Sequence, residues 1–219
     1  MNDLLRENGV PTLFGPQTRL HSSVERKSFY EHFHVRRVEI LKEMLGRHIY
    51  SRALDIGAGA GLLATFKLRD TTGIDIRLAG GVTVRASAEN LPFQEHAFDL
   101  VFAGEVLEHL LRPMQALRDW VRVLDSKGTM ILSTPNGVLV SPSGGNPEHK
   151  AIYAPDDITQ ILGRLGMNIV ARKAIFTGLV SGRRLFSIIP LSQLKVLLLR
   201  APVPLRLSYD IFYKATKEN

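Results

Sequence analysis

The sequence predicts an α/β fold built on a doubly wound, mostly parallel, seven-stranded sheet. Two observations carry this. From residue 52 onward, strand-like and helix-like segments alternate at short spacing, the pattern of successive βαβ units. The first strand, R-A-L-D-I over 52–56, also runs directly into glycines at 57, 59 and 61 and then into an apolar helical face of Leu62, Leu63, Phe66 and Leu68. A strand, a glycine turn and a helix bring free backbone N–H groups and bare Cα atoms to one sheet edge. A nucleotide-like ligand can pack there with no side chain in the way.

The elements follow in order. About twenty turn-prone residues, with Gly9, Pro11, Gly15 and Pro16, open the chain. Ser22 or Ser23 is placed to cap a helix through Phe29, Phe33, Val38, Leu41 and Leu45 that ends near Gly46. Strands are expected near 52–56, 71–76, 82–86, 98–103, 128–134 and 168–176, and helices near 61–68, 105–111, 113–124 and 155–165. Pro113 suits the first turn of the helix bearing Leu117, Trp120, Val121 and Leu124. Y-D-I-F-Y-K-A over 209–215 alternates apolar and polar residues and makes the last strand.

The glycine spacing narrows the ligand. A dinucleotide loop needs G-x-G-x-x-G or A, and Leu62 stands at that third position, which disfavours NAD. An acidic residue followed by G-x-G-x-G, here Asp55 through Gly61, instead resembles motif I of the class I S-adenosylmethionine-dependent methyltransferases. T-T-G-I-D-I-R then ends a second strand on Asp75, placed to accept both ribose hydroxyls. R-A-S-A-E-N-L-P-F (85–93) is similar to the D-A-x-x-L-P-F stretch after strand three of many small-molecule methyltransferases. Ser87 stands where those enzymes have the Asp that receives the adenine amino group, so Ser87, Glu89 or a backbone carbonyl takes that role. A-F-D-L-V-F-A-G-E-V-L-E-H-L (97–110) and G-T-M-I-L-S-T-P-N (128–136) supply the fourth and fifth segments of the resemblance, which covers 53–175.

The resemblance implies a Rossmann-like methyltransferase fold whose last strand runs antiparallel. It also implies S-adenosylmethionine as cofactor and Asp55, Gly57, Ala58, Gly59, Gly61, Asp75, Ile76, Ser87, Ala88, Glu89, Gly104 and Glu105 as its contacts. The chain divides into an N-terminal helical segment (1–50), a cofactor-binding core (51–176), an insertion (177–207) and the last strand (208–216), all in one domain. In related enzymes the segment before motif I lies over the cofactor as a lid; its amphipathic pattern equally gives a helix packed on the sheet.

Methyl transfer from a sulfonium needs alignment, desolvation and sometimes a base. Glu105, His109 and His149 are the expected catalytic residues: the first two follow strand four at helical spacing, and His149 lies on the loop after strand five, near Tyr153. An imidazole, with a reference pKa near ~6.5, suits a general base. Glu105, Glu108, His109 and His149 also reproduce the order of the metal-binding residues of small-RNA 3′-end 2′-O-methyltransferases. E-x-x-E-H and S-T-P-N are common in small-molecule enzymes, and the chain is short for an RNA clamp. The expectation is therefore no metal and a small-molecule acceptor methylated at oxygen or nitrogen, with RNA 2′-O-methylation or non-catalytic S-adenosylmethionine binding as alternatives. F-A-G-E after strand four is not the D-P-P-Y-like run of DNA amino-methylating enzymes.

Composition bounds the rest. The 219 residues are 45% hydrophobic, enough for one core. No cysteine is present, which removes disulfides, thiolate metal sites and the thiolate chemistry of cytosine-C5 methylation. No signal-like n-region and h-region opens the sequence, and no apolar run is long enough to span a bilayer, so a cytoplasmic protein is expected. The net charge is +7, and residues 164–219 hold ten basic side chains against two acidic ones. This asymmetry fits an anionic ligand or a solvated basic face. Residues 176–208 carry a leucine-rich stretch broken by Pro190, Pro202 and Pro204, with Arg183, Arg184, Lys195 and Arg200 among its charges. Such a segment is expected to cap the acceptor pocket, to form a homodimer interface, or to lie on a membrane surface beside a lipid-like acceptor. Nucleic acid is the less expected partner.

Overall fold

The computed structural model describes residues 23–138, 148–175, 205 and 208–218, with side chains from Phe33 onward. Helix α1 (Ser23–Leu45) ends at Gly46, whose φ of +64° lets its N–H return to the Lys42 carbonyl at 3.0 Å. Seven strands follow: β1 (Ala53–Ile56), β2 (Thr71–Asp75), β3 (Val84–Arg85), β4 (Phe98–Gly104), β5 (Leu124–Pro135), β6 (Met167–Ile175) and β7 (Asp210–Lys217). Helix α2 (Pro113–Val123) precedes β5, and α3 (Pro155–Arg164) precedes β6. Pro113 and Pro155 each stand in the first turn of their helix, where no intrahelical N–H is missed.

The sheet order is β3-β2-β1-β4-β5-β7-β6. β1, β2, β3, β4 and β5 pair in parallel, while β7 runs antiparallel to both β5 and β6. The strand order reverses between β1 and β4, so their carboxyl ends open a crevice there.

Period-two alternation splits the core into two layers. Leu54, Ile56, Val101, Ala103, Met130 and Leu132 pack with Leu117 and Trp120 of α2 and Ile158 and Leu162 of α3. Ala53, Leu100, Phe102 and Ile131 point to the other face and pack with Phe33, Ile40, Leu41 and Met44 of α1. Each fully buried Leu or Phe side chain contributes roughly 1.5–3 kcal/mol of transfer free energy. Trp120 is wholly buried, and its indole N–H donates to the Ala88 carbonyl at 2.8 Å, fixing the 85–93 stretch against α2.

Three expected elements are shorter in the structure. The helix expected at 61–68 is a single 3-10 turn, Leu63–Phe66, closed by Lys67 in a left-handed conformation at φ 51°. Only nine residues separate Gly61 from Thr71, and a longer helix would not leave enough chain to return to β2. The helix expected at 105–111 is likewise one turn, Leu107–His109. Glu105 has φ 58°, Leu111 and Arg112 give their N–H groups to the Glu89 carboxylate, and the residue before Pro113 is disfavoured in the helical region. The strand expected at 82–86 keeps only Val84 and Arg85, because Thr83 is turned back to Gly73 by both its N–H and its hydroxyl.

Candidate active site

The site grows from the carboxyl ends of β1, β2, β4 and β5 and from the first residue of β7, which lies opposite Pro135 of β5. At the end of β1, Gly57, Gly59 and Gly61 all have positive φ, at 69°, 46° and 85°. A Cβ on Gly57 would lie 2.4 Å from a Val106 methyl, so only glycine lets this loop close against the chain leaving β4. Asp55 is buried beneath the loop and accepts the Leu63 N–H at 3.3 Å. Burial, with the Asp75 charge nearby, pushes its carboxyl up to about 7.

Asp75 ends β2 half-exposed. Its Oδ2 accepts the Gly59 N–H at 3.2 Å and its Oδ1 accepts the Arg77 N–H at 2.9 Å, which leaves one lone pair on each oxygen. Ile76 beside it is 60% exposed, an apolar platform of the kind an adenine covers. A ribose diol on Asp75 and a ring on Ile76 are compatible with these positions, and the bare glycine edge adjoins them. The residues present therefore fit a nucleoside at this switch point. Ala58 is buried, its N–H held by the Ile74 carbonyl at 2.9 Å.

The stretch after β3 is held by hydrogen bonds. Ser87 Oγ accepts the Glu89 N–H at 3.1 Å in a local turn, and the Glu89 carboxylate is engaged by Leu111, Arg112 and the Arg112 guanidinium. These bonds hold the Glu89 carboxylate, whose pKa they lower, at the entry to α2. Ala88 is held by Trp120 through its carbonyl.

A second group of polar side chains meets beyond Gly104. A Cβ on Gly104 would stand 3.0 Å from a guanidinium nitrogen of Arg37, so α1 brings its arginine directly over the end of β4. Glu105 accepts the Ser133 hydroxyl at 2.7 Å, and Glu108, fully buried, accepts the Thr134 hydroxyl at 3.2 Å. The S-T-P-N strand end thus supplies the donors for both glutamates. The Lys150 and Ala151 N–H groups donate to the Glu108 carbonyl at 2.7 and 3.2 Å, which pins the loop after β5 and brings His149 against His109. The two imidazole centroids are 4.9 Å apart, edge to face. Glu105, His109 and His149 are therefore brought together, with Tyr153 near enough that the Glu108 charge raises its hydroxyl further after burial has done so.

Asp210 joins this group, and sequence reasoning missed it. It is wholly buried, and burial followed by the neighbouring Glu105 charge raises its carboxyl well above the usual range. Two carboxyls this close in a buried site disfavour joint ionisation. The Glu108 carboxyl is raised in the same way, by burial and then by Glu105. The His149 imidazole is lowered, by burial and then by His109, which favours its neutral form. An acidic residue at the head of the apolar run I-F-Y was the available signal for Asp210, and Arg37 had none because it comes from α1, far away in sequence.

A parallel sheet reversing at β1/β4, a positive-φ glycine loop and an acidic end to β2 together define a class I methyltransferase-type domain. Comparison with known proteins agrees. Residues 54–132 match the family described as a methyltransferase domain. A probable S-adenosylmethionine-dependent methyltransferase of Mycolicibacterium smegmatis is 28% identical over 166 residues, which is 68% of this chain and 64% of that protein. A ubiquinone biosynthesis O-methyltransferase of Roseobacter denitrificans is 30% identical over 56% of this chain and 62% of its own length. The crystal structure of an S-adenosylmethionine-dependent methyltransferase from Mesorhizobium loti superposes with a TM-score of 0.61 at 16% identity, covering 82% of this chain and 96% of that one. Residues 54–132 thus carry a methyltransferase domain, and over more of its length the chain is similar to S-adenosylmethionine-dependent methyltransferases. It spans slightly less than two thirds of the length of the curated relatives described above. Among the described residues, no helix is long and apolar enough to cross a membrane.

Proposed function

We propose that the chain moves a methyl group from S-adenosylmethionine to a small-molecule acceptor, at an oxygen or nitrogen atom. The observation that carries this reading is the meeting, on one sheet edge, of a cofactor-compatible glycine loop and a water-poor cluster of acids and imidazoles. S-adenosylmethionine, when bound, supplies an electrophilic methyl on a positively charged sulfur. The chain's own part is to hold the nucleoside with Asp75 and the glycine loop, to exclude water, and to receive a proton from the acceptor.

His109 and His149 are the groups for that proton. His109 Nδ1 faces the Glu148 carbonyl at 3.3 Å, which assigns the ring proton to Nδ1 and leaves Nε2 as the acceptor. Glu105, in its left-handed conformation between Ser133 and Asp210, orients the floor of the site. The likeness to an O-methyltransferase favours oxygen over nitrogen as the receiving atom.

Residues 177–207, apart from Leu205, lie outside the described residues. Their flanks are fixed beside this site: the Tyr209 N–H donates to the Ile175 carbonyl at 2.7 Å, and the Asn136 side chain donates to the Ser208 carbonyl at 2.7 Å. Both ends of the segment therefore stand at the mouth where an acceptor would enter, which supports the reading of a cap over the acceptor pocket.

Calorimetric titration with S-adenosylhomocysteine and, separately, NADH tests the cofactor. Transfer of a labelled methyl to a panel of phenols, carboxylic acids and amines tests the reaction. Binding of S-adenosylhomocysteine without transfer to any acceptor would favour a non-catalytic role.

A further inference from the structure

We propose that Glu108, His109 and His149 form a binding site for one first-row divalent cation, immediately beside the transfer site. Each side chain offers one ligand atom, and these atoms all lie within 4.8 Å of one another. The surroundings select the atoms that converge. Glu108 Oε2 is occupied by the Thr134 hydroxyl, while Oε1 is buried and has no hydrogen-bond donor. His109 Nδ1 is turned to the Glu148 carbonyl, so Nε2 points inward, 4.0 Å from Glu108 Oε1. His149 is 8% exposed, and neither of its ring nitrogens has a hydrogen-bond partner.

A buried imidazole bonded to nothing and a buried carboxylate oxygen with no donor are costly unless something binds them. A cation at about 2.0–2.2 Å from each ligand meets both needs, and it requires ligand atoms about 3.0–3.5 Å apart, so a pair as wide as 4.8 Å closes by about 1.3–1.8 Å on binding. Held hydrogen bonds on the far side of Glu108 and His109 are the outer support that metal ligands ordinarily have.

Glu105 stands outside this set. Its carboxylate accepts the Ser133 hydroxyl and abuts Asp210, and it is not among the atoms that converge. The four-residue set that the order of residues offered is thus reduced to three by the fold. Two imidazoles and one carboxylate suit Zn²⁺, Mn²⁺, Co²⁺ or Fe²⁺ better than Mg²⁺, which prefers an all-oxygen shell. A bound cation occupies the basic lone pairs of His109 and His149, so their role as proton acceptors belongs to the cation-free chain, and three protein ligands leave open positions for water or for a hydroxyl oxygen of the acceptor. That last role rests on the transferase reading; the cation site itself does not.

The test uses the full chain, stripped with chelator and titrated with Co²⁺ while its visible absorption is followed, with Mg²⁺ as the comparison metal. One equivalent of Co²⁺ is expected, bound more tightly than Mg²⁺. His149→Ala and Glu108→Gln should each weaken it about tenfold or more, while Glu105→Gln should leave it within a few-fold. His109→Ala, at a partly exposed position, gives a third ligand variant should either buried one fail to fold. Circular dichroism checks each fold. Binding below one equivalent, or equal Co²⁺ affinity in the native chain and the folded ligand variants, would overturn the site. S-adenosylhomocysteine is titrated in parallel: its failure to bind while Co²⁺ binds would overturn the transferase reading and leave the cation site standing.

Discussion

Each oxygen of the Asp75 carboxylate accepts one backbone N–H, from Gly59 and from Arg77, and keeps a lone pair toward solvent. Asp75 therefore shapes the glycine loop, and its remaining lone pairs are the ones that the proposed ribose contact would use. Asp75→Ala should cost about 1.5–3 kcal/mol of S-adenosylmethionine binding, or roughly 10- to 150-fold in affinity by calorimetry. Unchanged affinity would remove the ribose assignment. Asp55 makes a prediction about pH. Its folded carboxyl titrates at about 7, above its ordinary value of 3.8, because it is buried beside Asp75. A raised carboxyl binds its proton more tightly in the folded chain, so its contribution to stability is complete below pH ~4 and is lost as pH rises to about 7. The full span is on the order of 4 kcal/mol. Asp55→Asn keeps the acceptor for the Leu63 N–H and removes the titration. Urea unfolding at about pH 4 and pH 8 should show a smaller stability difference in the variant than in the native chain; an equal difference would place the pH dependence elsewhere.

The glycine loop is not held by β1 alone. The stretch between β2 and β3 folds over it, the Gly81 N–H donating to the Gly59 carbonyl at 2.9 Å. A Cβ on Gly81 would lie 2.3 Å from the Gly61 Cα and 2.4 Å from its nitrogen, both backbone atoms with nowhere to move. Gly81→Ala should lower stability by about 1–3 kcal/mol or more and weaken S-adenosylmethionine binding together with it, since one contact serves both. Gly163, in the last turn of α3, has nothing within 4 Å of its would-be Cβ. Gly163→Ala should raise stability by roughly 0.5–1 kcal/mol with cofactor affinity unchanged. Melting curves and calorimetry on the two variants separate a glycine required by close backbone approach from one that is not.

At the scale of the whole molecule, the proposed cap of residues 177–207 is tested by excision. Its flanks, Ile175 and Ser208, lie beside Asn136 and Tyr209 at the end of the sheet that carries Asp210. Replacing residues 177–204 by a short turn keeps Leu205, whose carbonyl accepts from Asn136 at 3.0 Å. The trimmed chain should bind S-adenosylmethionine as the native one does and transfer no methyl group. Normal transfer combined with a fall from dimer to monomer, or with loss of affinity for anionic vesicles only, would replace the cap by an interface or a membrane contact.

The sequence by itself determined the sheet, the glycine loop and the acidic end of β2. These depend on local pattern: period-two apolar runs, glycines where φ must be positive, and an acid two residues before the first of them. It also placed α2 and α3 correctly, and Pro113 marked where the first of them starts. Only the tertiary structure decided that the helices expected at 61–68 and 105–111 are single turns. Their lengths depend on how much chain remains to reach the next strand, and on the Glu89 carboxylate taking two N–H groups from more than twenty residues away. The same holds for the acid and imidazole cluster. Arg37, Glu105, Glu108, His149 and Asp210 come from α1, the turns after β4 and β5, and the start of β7. Glu105 and Glu108 are three apart, but no spacing relates them to Arg37, His149 or Asp210, and the reversal of strand order at β1/β4, with β7 inserted beside β5, is what brings these to one edge. Which ring nitrogens and carboxylate oxygens remain unbonded there is fixed by Thr134 and the Glu148 carbonyl, contacts that exist only once the chain has folded.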